Sequence, residues 1–279
     1  MTDKRTYLFV GARYYVLKRM KELKLNIANI LVKENSFAHN WCLQNNIKCQ
    51  TFNKKSELLN QIKEQSFDIL VSEGCPYILP VSDLKKDNQI FLNIHPGLLP
   101  EIRGASPVNA SILFDKPQGV TCHIMDDGID TGTVISRVMI CEKPIMPIDL
   151  LYRLSFMAEA DAFELAYQRD FKTIQSTSSD SIYYTRHEED RIIDMNKPFE
   201  EIQRQVKAFA LANQYAYFTL NNTNYYVKDI EFFKIDFLDN YNLKEKDIAQ
   251  VIGDNILIKE KHGYTYWHLV SAEGLKASI

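Results

Sequence analysis

The sequence predicts an α/β fold in which a Rossmann-like, mainly parallel sheet is flanked by helices and followed by a smaller β-rich C-terminal domain. Buried-strand patterns, such as residues 6–10, alternate with helical patterns, such as residues 15–23, and this alternation indicates parallel βαβ units. A polar, Ser-rich segment at 175–181 separates these units from aromatic, strand-like segments. The chain has 279 residues, 46% of them hydrophobic, which is enough for one large core and one small core.

The first domain is expected to span residues 1–175. Its strand patterns lie at 6–10, 29–32, 47–51, 67–72, 89–94, 119–125 and 133–141. Its helical patterns lie at 15–23, after the capping residue Ser36, at 56–65, from Ser106-Pro107 to about 114, and at 147–171.

The second part is expected to contain a linker and a small domain. Residues 176–212 form the linker with a short helix at 199–210, and residues 213–279 form the β-rich C-terminal domain. Its strand patterns lie at 215–220, 225–233, 251–259 and 264–270, with hairpin turns at Asn221-Asn222 and His262-Gly263.

Composition excludes several classes of protein. No apolar run approaches ~18 residues, so we expect no membrane span, and the first apolar segment is too short for a signal peptide. The five cysteines include no CxxC pair, which argues against both a disulfide framework and a zinc site. We therefore expect a cytoplasmic protein with reduced thiols and no metal.

Gly11 ends the first strand pattern but does not indicate a dinucleotide site. The residues after it lack the glycines of GxGxxG, so the backbone cannot approach a pyrophosphate closely. Two interpretations of Gly11 remain open. Gly11 is either a plain strand-to-helix turn, or the helix start and Arg13 face an anionic part of a substrate.

Three polar residues lie at predicted strand ends, where catalytic groups gather in α/β sheets. Asn93 and His95 are two apart, so both side chains should point the same way, and both can donate to a developing oxyanion. Asp130 could orient the imidazole or accept a proton from a nucleophile. No GxSxG elbow is present, so direct attack of an amine on a carbonyl is favoured over an acyl-enzyme. On spacing alone, a purely structural role for the three residues stays open.

A long, ordered string surrounds these residues: 93–100 (NIHPGLLP), Arg103-Gly104, Pro107, 119–121 (GVT), Met125-Asp126 and 129–132 (IDTG). This string resembles the signature of the formyltetrahydrofolate-dependent formyltransferases. Residues 74–80 (GCPYILP) resemble the loop by which that family holds the pterin ring. The resemblance covers roughly residues 5–235.

The resemblance implies a catalytic trio of Asn93, His95 and Asp130, with 10-formyltetrahydrofolate as co-substrate and no metal. Asn93 and protonated His95 stabilise the oxyanion, and Asp130 supports His95 and helps remove the amine proton. His123 either lies near the site or is structural. The residues expected to bind the cofactor are Pro76, Tyr77, Leu79, Asp126 and Gly128.

The identity of the amine depends on the C-terminal part. Residues 180–279 contain 12 Lys/Arg against 16 Asp/Glu, and this net charge of −4 disfavours tRNA, because phosphate contacts require basic surface. Residues 181–209 resemble the connecting segment of the tRNA and sugar enzymes, but 212–216 (ANQYA) replace the usual Pro-aromatic-Pro-Gly-Ala. The chain is most similar to the sugar-nucleotide N-formyltransferases. The residues expected to bind substrate are Arg13, Arg103, Arg186, Tyr215 and Tyr217.

These features favour formyl transfer to a nucleotide-linked amino sugar, with dTDP preferred, in surface polysaccharide (O-antigen) biosynthesis. The partners expected are this sugar nucleotide and a second copy of the chain, bound through the C-terminal domain, with no nucleic acid and no membrane. The alternatives are a methionyl-tRNA formyltransferase, a hydrolase that deformylates the cofactor, and a non-catalytic folate- or nucleotide-binding homologue.

Overall fold

A computed structural model describes residues 3–175, 180–212 and 214–270. The chain divides into two compact units. The first comprises Met1–Pro107, Pro117–Glu142 and Tyr152–Tyr184, and the second comprises Val108–Lys116, Lys143–Leu151 and Thr185–Ile279.

A seven-stranded sheet forms the centre of the first unit, in the order β3-β2-β1-β4-β5-β7-β8. Strands β1 to β5 pair in parallel, whereas β7 and β8 are antiparallel to their neighbours. The predicted mainly parallel, Rossmann-like sheet is thereby confirmed. The strands are β1 (Thr6–Gly11), β2 (Asn26–Lys33), β3 (Gln50–Phe52), β4 (Ile69–Glu73), β5 (Ile90–His95), β6 (Ile102–Arg103), β7 (Gln118–Ile124) and β8 (Val134–Cys141).

Helices cover both faces of this sheet because its strands carry apolar residues on both sides. In β1, Phe9 packs in one core cluster with Leu17, whereas Leu8 packs in another with Leu58. Ser36 caps its helix as predicted, since its Oγ accepts a hydrogen bond from the His39 amide at 3.2 Å. The helices of the first unit are α1 (Tyr15–Glu22), α2 (Phe37–Gln44), α3 (Lys55–Lys63), α4 (Val81–Leu84) and, from Tyr152 onward, α6 (Ile148–Gln168), whereas α5 (Pro107–Leu113) belongs to the second unit from Val108 onward.

The second unit contains a five-stranded antiparallel sheet in the order β10-β11-β14-β13-β12, which confirms the β-rich C-terminal part. Asn221 and Asn222 have φ of 49° and 62° and form the predicted hairpin turn. The strands are β10 (Ala216–Leu220), β11 (Thr223–Phe233), β12 (Ile248–Ile252), β13 (Asn255–Glu260) and β14 (Gly263–Leu269), and helix α7 spans Phe199–Ala208.

One expectation for this unit differs from the structure. The single strand predicted at 251–259 was wrong, because Gly253, with φ of 59°, turns the chain between β12 and β13. Helix α7, predicted at 199–210, lies in the second unit and packs on its sheet, and the bounds of the linker at 176–212 stay a prediction. The Phe199 ring packs against Phe232 at 5.6 Å, and Gln203 Nε2 donates to the Ile230 carbonyl at 3.3 Å.

Two short strands and one short helix have no counterpart in the sequence-based assignment. Strand β6 pairs in parallel with β9 (Ile182–Tyr183), and α4 follows the loop at 74–80. Residues 176–179 of the expected linker, and Asn213 and 271–279 of the expected C-terminal domain, lie outside the described residues.

Among the described residues, no helix is long and apolar enough to cross a membrane. Within the same ranges, no group of three or more His, Cys, Asp or Glu side chains is arranged to hold a metal ion.

Candidate active site

Asn93 and His95 end strand β5, where the sheet changes from parallel to antiparallel pairing. In the register of β5 with β7, Asn93 lies opposite His123 and His95 lies opposite Thr121. Side chains two residues apart on a strand share a face, as do directly opposed residues. The strand pairing therefore gathers an amide and two imidazoles on one side of the sheet.

The His95 ring lies between two hydrogen-bond acceptors and is buried. Its Nε2 is 3.0 Å from the Ile102 carbonyl oxygen, and its Nδ1 is 3.5 Å from Oδ2 of Asp130. Since a carbonyl can only accept, Nε2 carries a proton. Burial lowers the pKa of His95, while the Asp130 carboxylate and the Ile102 carbonyl oppose this effect. A proton between Nδ1 and Asp130 makes their contact attractive, which suits this pair to proton transfer.

Asp130 reaches the two histidines from the loop between β7 and β8. Its backbone has φ of 54°, and its Oδ2 accepts a hydrogen bond from the Gly104 amide at 2.9 Å. Its other oxygen, Oδ1, is 3.7 Å from Nε2 of His123. The predicted trio is thus brought together, with Asp130 beside His95 directly and beside Asn93 through His123.

His123 completes this cluster. Its Nε2 is 3.2 Å from Nδ2 of Asn93, and its Nδ1 is 3.0 Å from the Ile124 carbonyl oxygen. Burial, and secondly His95, lower the pKa of His123 to about 4. His123 is therefore neutral near pH 7. His123 lies beside Asn93 and Asp130, as in the first of the two alternatives that the sequence left open, a place near the site or a structural role.

A pocket of about 380 Å³ opens beside Asp130. Arg103 and Ser181 line it together with Thr131, and Arg103 Nε donates to Ser181 Oγ at 2.8 Å. Strand β6 pairs with β9 so that Arg103 lies opposite Tyr183. This pairing brings Arg103 near Ser181, which precedes Tyr183 by two residues. Arg103 thus supplies positive charge to the pocket that contains Asp130.

The residues predicted to bind cofactor lie on two neighbouring loops. The loop at 74–80 exposes Pro76, half-buries Tyr77 and buries Leu79 in the core, so Leu79 offers a ligand its backbone rather than its side chain. Asp126 folds the second loop, because its Oδ1 accepts from the Gly128 amide at 3.1 Å and from Thr131 Oγ1 at 2.6 Å.

These two loops are joined and share an apolar base. Asp127 Oδ1 accepts from the Ser82 amide at 3.0 Å, and this hydrogen bond lowers the pKa of Asp127. Tyr77 and Met125, one from each loop, pack against the same core cluster. A flat, partly apolar ring with polar edges fits such a surface, since backbone groups and the Asp126–Asp127 carboxylates border it.

Arg13 is engaged in a buried network rather than open to solvent. Its Nε donates to Glu159 Oε2 at 2.8 Å, its Nη2 bonds Glu159 Oε1, and its guanidinium lies 4.8 Å from the centre of the Phe156 ring. Glu73 lies beside this pair, and burial together with Glu159 raises the pKa of Glu73 well above its usual range. The structure shows Arg13 joining the ends of β1 and β4 to helix α6.

The remaining predicted substrate residues lie in the second unit. Arg186 bonds Gln214, and both line a pocket of about 480 Å³. The Tyr215 carbonyl accepts from Nε and Nη2 of Arg191 at 3.1 and 3.0 Å. The Tyr217 ring lies 5.7 Å from the Arg191 guanidinium and 5.3 Å from the Tyr226 ring.

Some site features were not found from the sequence. The Ile102 carbonyl and the Gly104 amide are backbone groups, so residue type carries no signal for them. Glu159 has a weak signal, because it is an acidic residue between Ala158 and Ala160 in α6. Its partner, Glu73, ends a buried strand and could have been found in the same way.

Comparison with protein families gives a match of residues 18–150 to the family described as Formyl transferase. Among curated proteins, the methionyl-tRNA formyltransferase of Dehalococcoides mccartyi (strain CBDB1) is 35% identical over 162 residues, which cover 56% of this chain and 52% of that protein. The methionyl-tRNA formyltransferase of Ehrlichia ruminantium (strain Gardel) is 31% identical over 157 residues, again 56% and 52%. The chain spans about half the length of the curated relatives it matches.

Comparison with solved structures shows the same fold over nearly the whole chain. WlaRD, a sugar 3N-formyl transferase solved with dTDP and 5-N-formyl-THF, has a TM-score of 0.70 at 19% identity and covers 96% of this chain and 99% of its own. The N-formyltransferase from Helicobacter canadensis, solved with folinic acid and dTDP-3-aminofucose, has a TM-score of 0.68 at 18% identity, with coverages of 94% and 98%. HypX from Aquifex aeolicus, solved with tetrahydrofolic acid, has a TM-score of 0.64 at 14% identity, with coverages of 97% and 45%.

Proposed function

We propose that the chain, whose residues 18–150 match the family described as Formyl transferase, moves a formyl group from 10-formyltetrahydrofolate to the amine of a nucleotide-linked amino sugar, with a dTDP-linked dideoxy amino sugar preferred. The observation that carries the proposal is the cluster of Asn93, His95 and Asp130 beside a pocket that contains Arg103. The bound co-substrate supplies the formyl group, and the residues of this chain supply orientation, hydrogen-bond donors and a proton acceptor.

Asn93 has the chemistry of an oxyanion donor. One N–H of its amide points to His123, and the other is available for the formyl oxygen as negative charge develops there. Nδ1 of His95 lies 3.5 Å from Oδ2 of Asp130, and to Asp130 we assign the proton that the substrate amine loses on forming its new bond to the formyl carbon. The bond from the formyl carbon to the folate nitrogen breaks, His95 donates a proton to that nitrogen, and Asp130 passes its acquired proton to His95.

The two joined loops are the proposed pterin site. Pro76 and Tyr77 contribute an apolar edge from the first loop, and Leu79 contributes backbone groups. Asp126 and Gly128 belong to the second loop, which also carries Asp130. Because one loop carries both these residues and Asp130, a pterin bound there would have its formyl group beside the Asp130 carboxylate.

Two observations support a sugar nucleotide as recipient. WlaRD, described as a sugar 3N-formyl transferase, and the Helicobacter canadensis N-formyltransferase, solved with dTDP-3-aminofucose, match this chain over more than nine-tenths of both lengths. Residues 180–279 carry a net charge of −4, from 12 Lys/Arg against 16 Asp/Glu, which opposes tRNA binding. Arg103, in the first unit, is proposed as a ligand of the pyrophosphate of the sugar nucleotide. Arg186 as a pyrophosphate ligand, and Tyr215 or Tyr217 stacking on the base, stay predictions for the second unit. Arg13 acts there only if its Glu159 contact changes.

A second candidate is methionyl-tRNA formyltransferase, favoured by the names of the curated relatives. Those relatives match over about half their length, so the part that would hold tRNA is not covered by the similarity. Dimerisation through the C-terminal domain, a cytoplasmic location and a role in polysaccharide biosynthesis stay predictions.

The test supplies the protein with 10-formyltetrahydrofolate and either dTDP- and UDP-linked amino sugars or methionyl initiator tRNA. Mass spectrometry should show the gain of one CO unit on a sugar nucleotide. Formylation of the tRNA with no sugar product would overturn the choice of substrate, and no product with either would overturn the proposed activity. Asp170→Asn, a surface change far from the site, is the matched control for Asp130→Asn.

A further inference from the structure

His123 contacts both Asn93 and Asp130, yet the proposed reaction gives it no step. We infer that His123 is a positioning residue, a neutral hydrogen-bond acceptor that turns the Asn93 amide so that its NH₂ group faces the Asp130 side of the site. This inference rests on the proposed function, because it assigns Asn93 the role of oxyanion donor. The His123 ring has three polar neighbours, which are Asn93, the Ile124 carbonyl and Asp130.

The Ile124 carbonyl fixes the tautomer. Its oxygen lies 3.0 Å from Nδ1 of His123 and can only accept, so Nδ1 carries the proton. In a neutral ring Nε2 then presents a lone pair. That lone pair faces the Asn93 side chain at 3.2 Å, and only the NH₂ end of an amide can donate to it. The carbonyl end would repel it, so one backbone oxygen sets the orientation of the amide.

The neighbouring imidazole does not compete for the same role. Both nitrogens of His95 face acceptors, the Ile102 carbonyl and Asp130, so His95 is the ring that can hold two protons. The nitrogens of His123 face one acceptor and one donor, which matches a neutral ring. Its distance of 3.7 Å to Asp130 Oδ1 exceeds a hydrogen bond, and burial disfavours a second charge beside His95.

The sheet holds His123 in this position. It lies directly opposite Asn93 in the antiparallel register of β5 with β7. On its other side the β7–β8 pairing is irregular between Cys122 and His123, a feature that re-aims a side chain. Nε2 of His123 is 3.2 Å from Asn93 Nδ2 and 3.7 Å from Asp130 Oδ1, so the amide and the carboxylate have this ring as a common neighbour.

Kinetics of a double-mutant cycle test the coupling. His123→Leu should lower kcat about 10–100-fold with KM within about 2-fold, because a misdirected oxyanion donor approaches the loss of a whole donor. In the Asn93→Ala background the same change should cost less than about 2-fold more, since its target is gone. His123→Gln, whose side-chain oxygen can still accept, should stay within about 5-fold of wild type. Additive losses in the cycle, or a His123→Gln as poor as His123→Leu, would overturn the inference.

Ser136→Ala provides the matched control. Ser136 is buried on the adjacent strand β8, and its Oγ donates to the Ala162 carbonyl at 2.6 Å, away from the trio. It should lower the free energy of unfolding much as His123→Leu does while leaving kcat near wild type. An equal fall of kcat in both variants would assign the His123 effect to general destabilisation.

A readout that needs no turnover separates this inference from the proposed function. The ¹⁵N shifts of the His123 ring in the wild-type protein should show a protonated Nδ1 and a bare Nε2 at neutral pH. That tautomer in a protein that formylates no sugar nucleotide would leave the amide orientation intact and defeat the proposed function alone. A protonated Nε2 in an active enzyme would defeat the inference alone.

Discussion

The buried ion pair of Arg13 with Glu159 should contribute more to stability than any surface pair on the same helix. Glu159 is fully buried and both its oxygens bind the guanidinium of Arg13, whose side chain is 17% exposed. Glu159→Gln removes the charge but keeps the shape, and leaves Arg13 without a counter-ion. Breaking such a pair from one side costs about 3–5 kcal/mol. The melting temperature should fall by about 6–20 °C, at roughly 2–4 °C per kcal/mol for a domain of this size.

Glu164→Gln is the matched control, because Glu164 lies five residues along α6 and pairs with Arg19 near the surface. Their side chains are 29% and 26% exposed, and we expect a loss of less than about 1 kcal/mol. Both variants are measured by urea denaturation with the protein at neutral pH. Equal midpoints for the two variants would refute the claim that Arg13 depends on Glu159.

Glu73 adds a second comparison within the same network. Burial, and secondly Glu159, raise the pKa of Glu73 well above its usual range, which favours the protonated side chain, and its Oε2 accepts from the Val16 amide at 3.1 Å. Glu73→Gln replaces a neutral acid by a neutral amide and should cost less than about 1 kcal/mol. A loss as large as that of Glu159→Gln would show that Glu73 is ionised and shares Arg13.

Asp130→Asn should lower kcat by about 10²–10⁴-fold, the usual contribution of a positioned proton acceptor, whereas Asp170→Asn should leave it unchanged in the same mass-spectrometric assay. The pKa of His123 is about 4 in the folded chain, against 6.5 for an ordinary histidine, so the unfolded chain binds more protons between pH 4 and 6.5. Stability should therefore fall as pH drops from 7 to 4, by about 3 kcal/mol from this group, and urea midpoints of His123→Leu should show a shallower pH dependence than wild type. A Cβ on Gly132 would lie 1.7 Å from the Ile124 carbonyl oxygen. Gly132→Ala should therefore lower the free energy of unfolding by about 1–3 kcal/mol and remove most activity. Gly253→Ala, where the added Cβ meets nothing within 4 Å, should keep activity.

The alternating strands and helices of the first unit were predictable because strands buried on both faces carry continuous apolar runs. Strands β6 and β9 and helix α4 were not, since two to four residues are too few to show a period. The turn at Gly253 was hidden within a continuous β pattern. In the site, residue type and the family resemblance made Asn93, His95 and Asp130 the predicted trio, and the structure places these residues close together. The contact of His123 with Asn93 required the antiparallel register of β5 with β7, which no local pattern specifies.

In the loop between β7 and β8, the string from Asp126 to Gly132 has a folding role beside the chemical role that we propose for Asp130. Asp126 closes the loop on the Gly128 amide and on Thr131, and the missing Cβ of Gly132 lets the chain return against the Ile124 carbonyl. The same carbonyl accepts the proton of His123, so the close return of the loop and the tautomer of the ring depend on one backbone group. Asp130, held at φ of 54° by this fold, meets His95 only because the loop doubles back over the strand that precedes it. A substitution that only loosens the loop should therefore lower kcat while leaving all three side chains of the proposed trio in place. The positions of the Asp130 carboxylate and the Asn93 amide both depend on this loop, so both groups would shift.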